Sequence, residues 1–214
     1  MKNIILTLFI LVCFSQIAYA EHPMNEIPMY GGQHDPQVEE NKEFSKDAAE
    51  LGWQYFYSGD HDTAIKRFNQ AWMFDRNSPQ AFWGFGLIMG ARSMQENTEE
   101  NLKESINFLG KANELSKDNP KIMVDLAYSE TMLGVFMKSE KKEGFQNHFD
   151  KARKLYEQSE NIETGYPLLY SNWSVLEFYE ESYLEAKEKL DKAKRLGFEP
   201  DPEYEKDLNE KLKK

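Results

Sequence analysis

Residues 51–79 read LGWQYFYSGDHDTAIKRFNQAWMFDRNSP, and the reading of this stretch decides the fold. Ala64, Ile65, Phe68, Ala71 and Trp72 recur at spacings of three and four, which places them on one face of a helix. Leu51 to Tyr57 forms a second apolar run before them, and Gly59-Asp60 separates the two. The unit is helix, turn, helix, with Asp60 placed to cap the second helix.

The unit recurs along the chain. After Pro79 come Phe82, Phe85 and Gly86, then Ser105, Leu109 and Ala112. After Pro120 come Met123, Leu126 and Ala127, then Ala152, Tyr156 and Ser159. After Pro167 come Tyr170, Trp173 and Ser174, then Ala186, Leu190 and Ala193. Each second helix carries small-x3-large-x2-small. Gly52 with Ala64, Gly86 with Ser105, Ala127 with Ala152 and Ser174 with Ala186 fall where paired helices cross. Small side chains there allow close approach of the axes. Ser78-Pro79, Asn119-Pro120 and Asp201-Pro202 each read as an N-cap followed by a first-turn proline. Thr98 and Ser182 are expected to cap second helices.

Leu51-Gly52-x2-Tyr55, Ala64-x3-Phe68 and Ala71 resemble the tetratricopeptide repeat family, whose pattern is Trp-x2-Leu-Gly-x2-Tyr, then Ala-x3-Phe, then Pro. Arg76 stands at the family proline, with Pro79 three residues on. The first and fourth units keep the family's period, whereas Pro79 to Pro120 and Pro120 to Pro167 are longer. Longer helices or turns are expected around Gln95–Asn101 and Lys138–Asn147. The resemblance spans residues 45–200. It implies an all-α fold: an α-solenoid of four helix-turn-helix units, a short right-handed superhelix, closed by a polar capping helix carrying Leu208 and Leu212.

The N-terminus reads as an address. Lys2, the apolar run Ile4 to Phe14 and the Ala18-Tyr19-Ala20 site predict a signal peptide over residues 1–20, cleaved after Ala20. Val12 before Cys13 argues against lipidation at that cysteine. Export predicts a periplasmic or secreted protein whose mature part, lacking Cys13, has no disulfide. Without Lys2 it carries 25 basic and 37 acidic residues, net −12. Residues 21–44, with Pro23, Pro28, Pro36 and Gly31-Gly32, read as an extended arm, and Met24, Ile27, Met29 and Tyr30 are apolar enough to dock on the repeat domain 45–214.

Composition and motif searches exclude several functions. Net acidity opposes nucleic-acid binding, which needs clustered Lys and Arg. No apolar run reaches the ~18 residues of a transmembrane helix. The four histidines are scattered, and no P-loop, HExxH, GxSxG or GxGxxG occurs. No catalytic residue, metal site or cofactor is expected, and the chain is read as non-enzymatic.

The aromatics, 14% of the chain, are the sharper signal. In the resembled family the first helix of each unit lines a concave, peptide-holding groove. Carried over by position, the resemblance implies groove residues Trp53, Phe56 and Tyr57, then Trp83 and Leu87, then Val124, Tyr128 and Met132, then Val175, Phe178 and Tyr179. The basic and amide residues needed to clamp a terminal carboxylate are absent there. The expected partner is an apolar or aromatic protein segment, held by a scaffold of the bacterial envelope. A small apolar or carbohydrate ligand is the alternative, and self-association is open. The same stripe would equally suit a core packed by neighbouring helices or covered by the arm.

Overall fold

A computed structural model describes residues 23–213. The leader read over residues 1–20 and its cleavage site lie outside the described residues. Nine α-helices follow one another among the described residues, with no strand: α1 (Lys42–Tyr57), α2 (His61–Phe74), α3 (Pro79–Ser93), α4 (Thr98–Leu115), α5 (Pro120–Ser139), α6 (Phe145–Ile162), α7 (Pro167–Tyr179), α8 (Tyr183–Arg195) and α9 (Pro202–Lys211). They pack as four pairs, α1 with α2 through α7 with α8. Each second helix also packs on the next first helix, and α9 closes the stack against α8. The protein is an α-solenoid with a capping helix.

The small-large-small pattern does the packing. Ala64, Phe68, Ala71, Ser105, Leu109 and Ala112 are all fully buried, as are their counterparts in α6 and α8. Phe68 shows why small neighbours are needed. Its ring lies between Gly52 of its own unit and Gly84 of the next, where an added Cβ on either side would come within 2.7 Å of ring atoms. The Ser105 hydroxyl donates to the Gly86 carbonyl at 2.8 Å, and Ser174 donates to the Ala186 carbonyl at 2.7 Å. Two of the expected small-residue crossings are thereby direct contacts between paired helices.

The proline-led helices start as their sequences predict. Ser78, Asn119 and Asp201 each accept a hydrogen bond from a first-turn backbone N–H. Asp60 does the same for α2. Two expected caps differ. Asn97 holds the N-cap position of α4 in the left-handed region, while Thr98 donates back to the Ser93 carbonyl. Ser182 precedes α8 but its hydroxyl makes no cap bond. The longer middle units arise from longer helices, α4, α5 and α6 having 18, 20 and 18 residues against 13 in each of α7 and α8. A five-residue turn between α5 and α6 adds to this.

The segment before α1 is not simply extended. Two 3-10 turns, Met24–Glu26 and Pro28–Gly32, lie against α2. The Asn69 amide donates to the carbonyls of Asn25 and Ile27, at 2.9 and 3.0 Å. Lys66 pairs with Glu26, and Tyr30 packs on Trp72. Arg76 pairs with Asp35 and stacks on Trp72. Helix α1 starts at Lys42, three residues before the expected domain boundary.

Candidate binding groove

Helices α1, α3, α5 and α7 lie side by side, and eleven of their residues were expected to line one concave face. The structure brings a subset together. Trp53 and Trp83 meet edge to face at 4.9 Å, and Trp53 also touches Phe56 and Phe68. The Trp53 indole donates to the Gln80 side chain at 2.7 Å, and the Trp83 indole donates to Asp125 Oδ2 at 2.7 Å. Phe56 stacks on His61, and Tyr57, 78% exposed, stacks against Trp53. The first unit thus builds a continuous aromatic wall from its own side chains.

Leu87, Tyr128 and Met132 meet elsewhere, around a cavity of about 620 Å³ between α3 and α5. From α3 come Leu87, Gly90, Ala91 and Ser93, with Met94 just after it; from α4, Thr98, Leu102 and Ser105. From α5 come Asp125, Tyr128, Ser129, Met132, Val135, Phe136 and Ser139. The cavity has a simple cause in sequence. Superposing Gly52 on Gly86 aligns Phe56 with Gly90 and Tyr57 with Ala91. Where the first unit has two large rings, the second has almost no side chain. The extra turns of α5 then supply a wall at Val135, Phe136 and Ser139. With the Ser105 proton given to Gly86, the Ser129 hydroxyl donates to the Ser105 oxygen at 2.9 Å, so α4 and α5 expose little unmet polarity there.

Asp125 is the cavity's one formal charge. Burial pushes its carboxyl up to about 6, against the pull of the Trp83 hydrogen bond. Burial also raises the Tyr128 hydroxyl, with Tyr179 beside it adding to the effect. Tyr166, just before α7, is raised by burial and then by the charge of Asp125.

Two expected groove residues lie elsewhere. Val124 is fully buried in a core cluster with Phe149, Ala152 and Tyr156. Asp125, Tyr128 and Met132 form a stripe at i, i+3 and i+7, and Val124 sits about 100° round the helix from Asp125. Phe178 packs against Tyr183 and Tyr204 in the cluster that holds α9 on α8. The capping helix covers it. Val175 is half-buried on α7. Tyr179 is partly exposed, and its carbonyl accepts from Lys138 at 2.8 Å. Among the described residues the arm is bonded to α2 and the turn after it. Asp125, Gly90 and Ala91 were not among the expected residues. Among the described residues no group of acidic, histidine or cysteine side chains is arranged to hold a metal ion, and no helix is long and apolar enough to cross a membrane.

No protein-family model matches the chain, and no curated protein matches it. Solved structures do. A thermophilic TPR protein of Thermus thermophilus aligns with a TM-score of 0.60 and 13% identity, covering 72% of this chain and 74% of that one. PilF of Pseudomonas aeruginosa aligns over 74% of this chain and 78% of that one, at 16% identity and a TM-score of 0.35, too loose a likeness to carry an argument. The first comparison places the fold among tetratricopeptide-repeat solenoids.

Proposed function

We propose that this chain is a non-enzymatic scaffold of the bacterial envelope that holds an apolar segment of a partner protein between α3 and α5. The observation that carries the reading is the cavity of about 620 Å³, apolar on most of its surface, beside the half-buried Trp83. A space of that size takes one or two bulky side chains, and aromatic rims are frequent anchoring points for partners. Export rests on the leader read over residues 1–20, and mass spectrometry of the secreted or periplasmic fraction tests it by a chain starting at Glu21.

The binding reading is tested by photo-crosslinkers placed at Tyr128 and, as a control on the far face of α4, at Lys111. A defined adduct from Tyr128, absent from Lys111 and lost in Ala91→Phe, is expected. Equal adducts from both positions contradict it. A second reading, a small apolar or carbohydrate ligand in the same cavity, draws on its volume, which lies within the range of small-molecule pockets (~300–1,000 Å³). A saturable tryptophan fluorescence change with small molecules, and no protein adduct, would favour that reading instead.

A further inference from the structure

Three acids are drawn into the helix stack, Glu130 and Glu177 buried and Asp125 half-buried, and they divide into two kinds. Glu130, 5% exposed, is met by His148 and Lys151. Glu177, 3% exposed, is met by Arg153 and by the Trp173 indole. Each has its cation on a neighbouring helix. Asp125 has none. Among the described residues its one hydrogen bond comes from Trp83, to Oδ2, and no ion pair reaches it. The groups that face it are uncharged at neutral pH: the Trp83 indole and the hydroxyls of Tyr156 and Tyr166, with Tyr128 beside it on the cavity lining. Lys121, one turn earlier on α5, lies over the Tyr166 ring at 5.5 Å and makes no bond to Asp125.

A carboxylate partly withdrawn from water with no counter-charge is disfavoured, and a cation brought by an occupant would relieve that cost. Asp125 lines the cavity, so an occupant reaches its free oxygen. The cavity's other lining residues are apolar or neutral, so nothing there repels a cation. Trp83, half-buried, offers a ring beside the carboxylate, and indole faces attract guanidinium and ammonium groups. The whole chain, at net −11, favours approach of a basic partner.

We propose that the cavity and Asp125 together select a partner segment in which Lys or Arg stands next to a bulky apolar residue. The apolar side chain fills the space left by Gly90 and Ala91, and the basic head group pairs with Asp125 beside Trp83. This rests on the segment-binding reading above and names the chemistry of the segment.

A random dodecapeptide display library, selected on the purified chain Glu21–Lys214 and in parallel on its Asp125→Asn variant, separates the two claims. Wild type is expected to enrich peptides with Lys or Arg next to Leu, Phe or Trp. Asp125→Asn is expected to keep the apolar enrichment and lose the basic one. For an enriched Arg peptide, citrulline in place of Arg should weaken binding to wild type by at least about tenfold and leave Asp125→Asn unchanged. Apolar peptides enriched without basic residues would overturn this inference and leave the segment-binding reading standing. No enrichment on wild type would overturn both. Melting curves confirm that the near-isosteric variant is folded.

Discussion

The first unit and the cleft between the second and third use one helix-pair architecture to opposite ends. In the first, Trp53, Phe56 and Tyr57 pack on one another along α1 and build a wall. One repeat later the aligned positions are Leu87, Gly90 and Ala91, and the longer α5 stands beside them, so the same surface is hollow. Side-chain volume at three positions decides whether a repeat presents a wall or a pocket. The contrast extends to polar groups. The Trp53 indole is met by neutral Gln80, whereas the Trp83 indole is met by the unpaired acid Asp125.

The comparison is broken most severely at the wall. Phe68 fits between Gly52 and Gly84, and Phe68→Ala should cost about 3–5 kcal/mol, read by urea unfolding. Because repeat arrays lose stability locally, amide exchange should rise first in α1 and α2 and last in α7. Uniform exchange across the chain would show that the two regions are not separable.

The next test converts the pocket into a wall. Gly90→Phe with Ala91→Tyr gives the second unit the rings of the first. A Cβ at Gly90 would meet only the Ser105 hydroxyl, at 3.4 Å, so the backbone accepts the change. Segment binding should fall by about 100-fold with the helical content kept, as measured by fluorescence anisotropy and circular dichroism. Unchanged affinity would put the binding surface elsewhere.

A smaller effect is expected at Asp125, and its sign is informative. The folded-state value is raised from 3.8 to about 6, so the folded chain holds the proton more tightly than the unfolded one. Ionisation therefore costs stability as pH rises from about 4 to 6, and the cost is complete above that window. Asp125→Asn should stabilise the unliganded protein by about 2 kcal/mol at pH 7.5, and the gain should vanish by pH 4. Destabilisation at pH 7.5 would mean that the carboxylate serves the fold rather than a ligand. The smallest effect concerns the arm. Asn69→Ala removes both bonds to Asn25 and Ile27 and should cost about 1–2 kcal/mol, with exchange rising before α1 and no change in segment binding.

Much of the fold was legible in sequence because its determinants are local and repeated. The spacing of Ala64, Phe68 and Ala71 and its three recurrences gave helix, pairing and stacking. The Ser-Pro, Asn-Pro and Asp-Pro starts gave the boundaries. The groove was legible only in part. Of the residues expected by position along the repeat, Leu87, Tyr128 and Met132 line the cavity and Trp53 and Trp83 meet each other outside its lining, whereas carrying the position over to Val124 ignored a rotation of one residue about the α5 axis. Phe178, expected in the groove, packs instead under the capping helix α9, a contact no repeat pattern encodes. Asp125 was overlooked because its partner lies 42 residues away across units of unequal length. The usable signal was the near-empty pair Gly90-Ala91 beneath Phe56-Tyr57.

The central claim is that the partner enters the hollow between α3 and α5. Methionine methyl resonances test it most directly, since Met94 and Met132 line the cavity while Met73 lies beneath the arm at Tyr30 and Met123 is buried in the core. On titration with an Arg-bearing peptide recovered from the display selection, Met94 and Met132 should shift first and furthest, and in Gly90→Phe/Ala91→Tyr they should stay still. Shifts at Met73 with Met94 and Met132 unmoved would contradict the account.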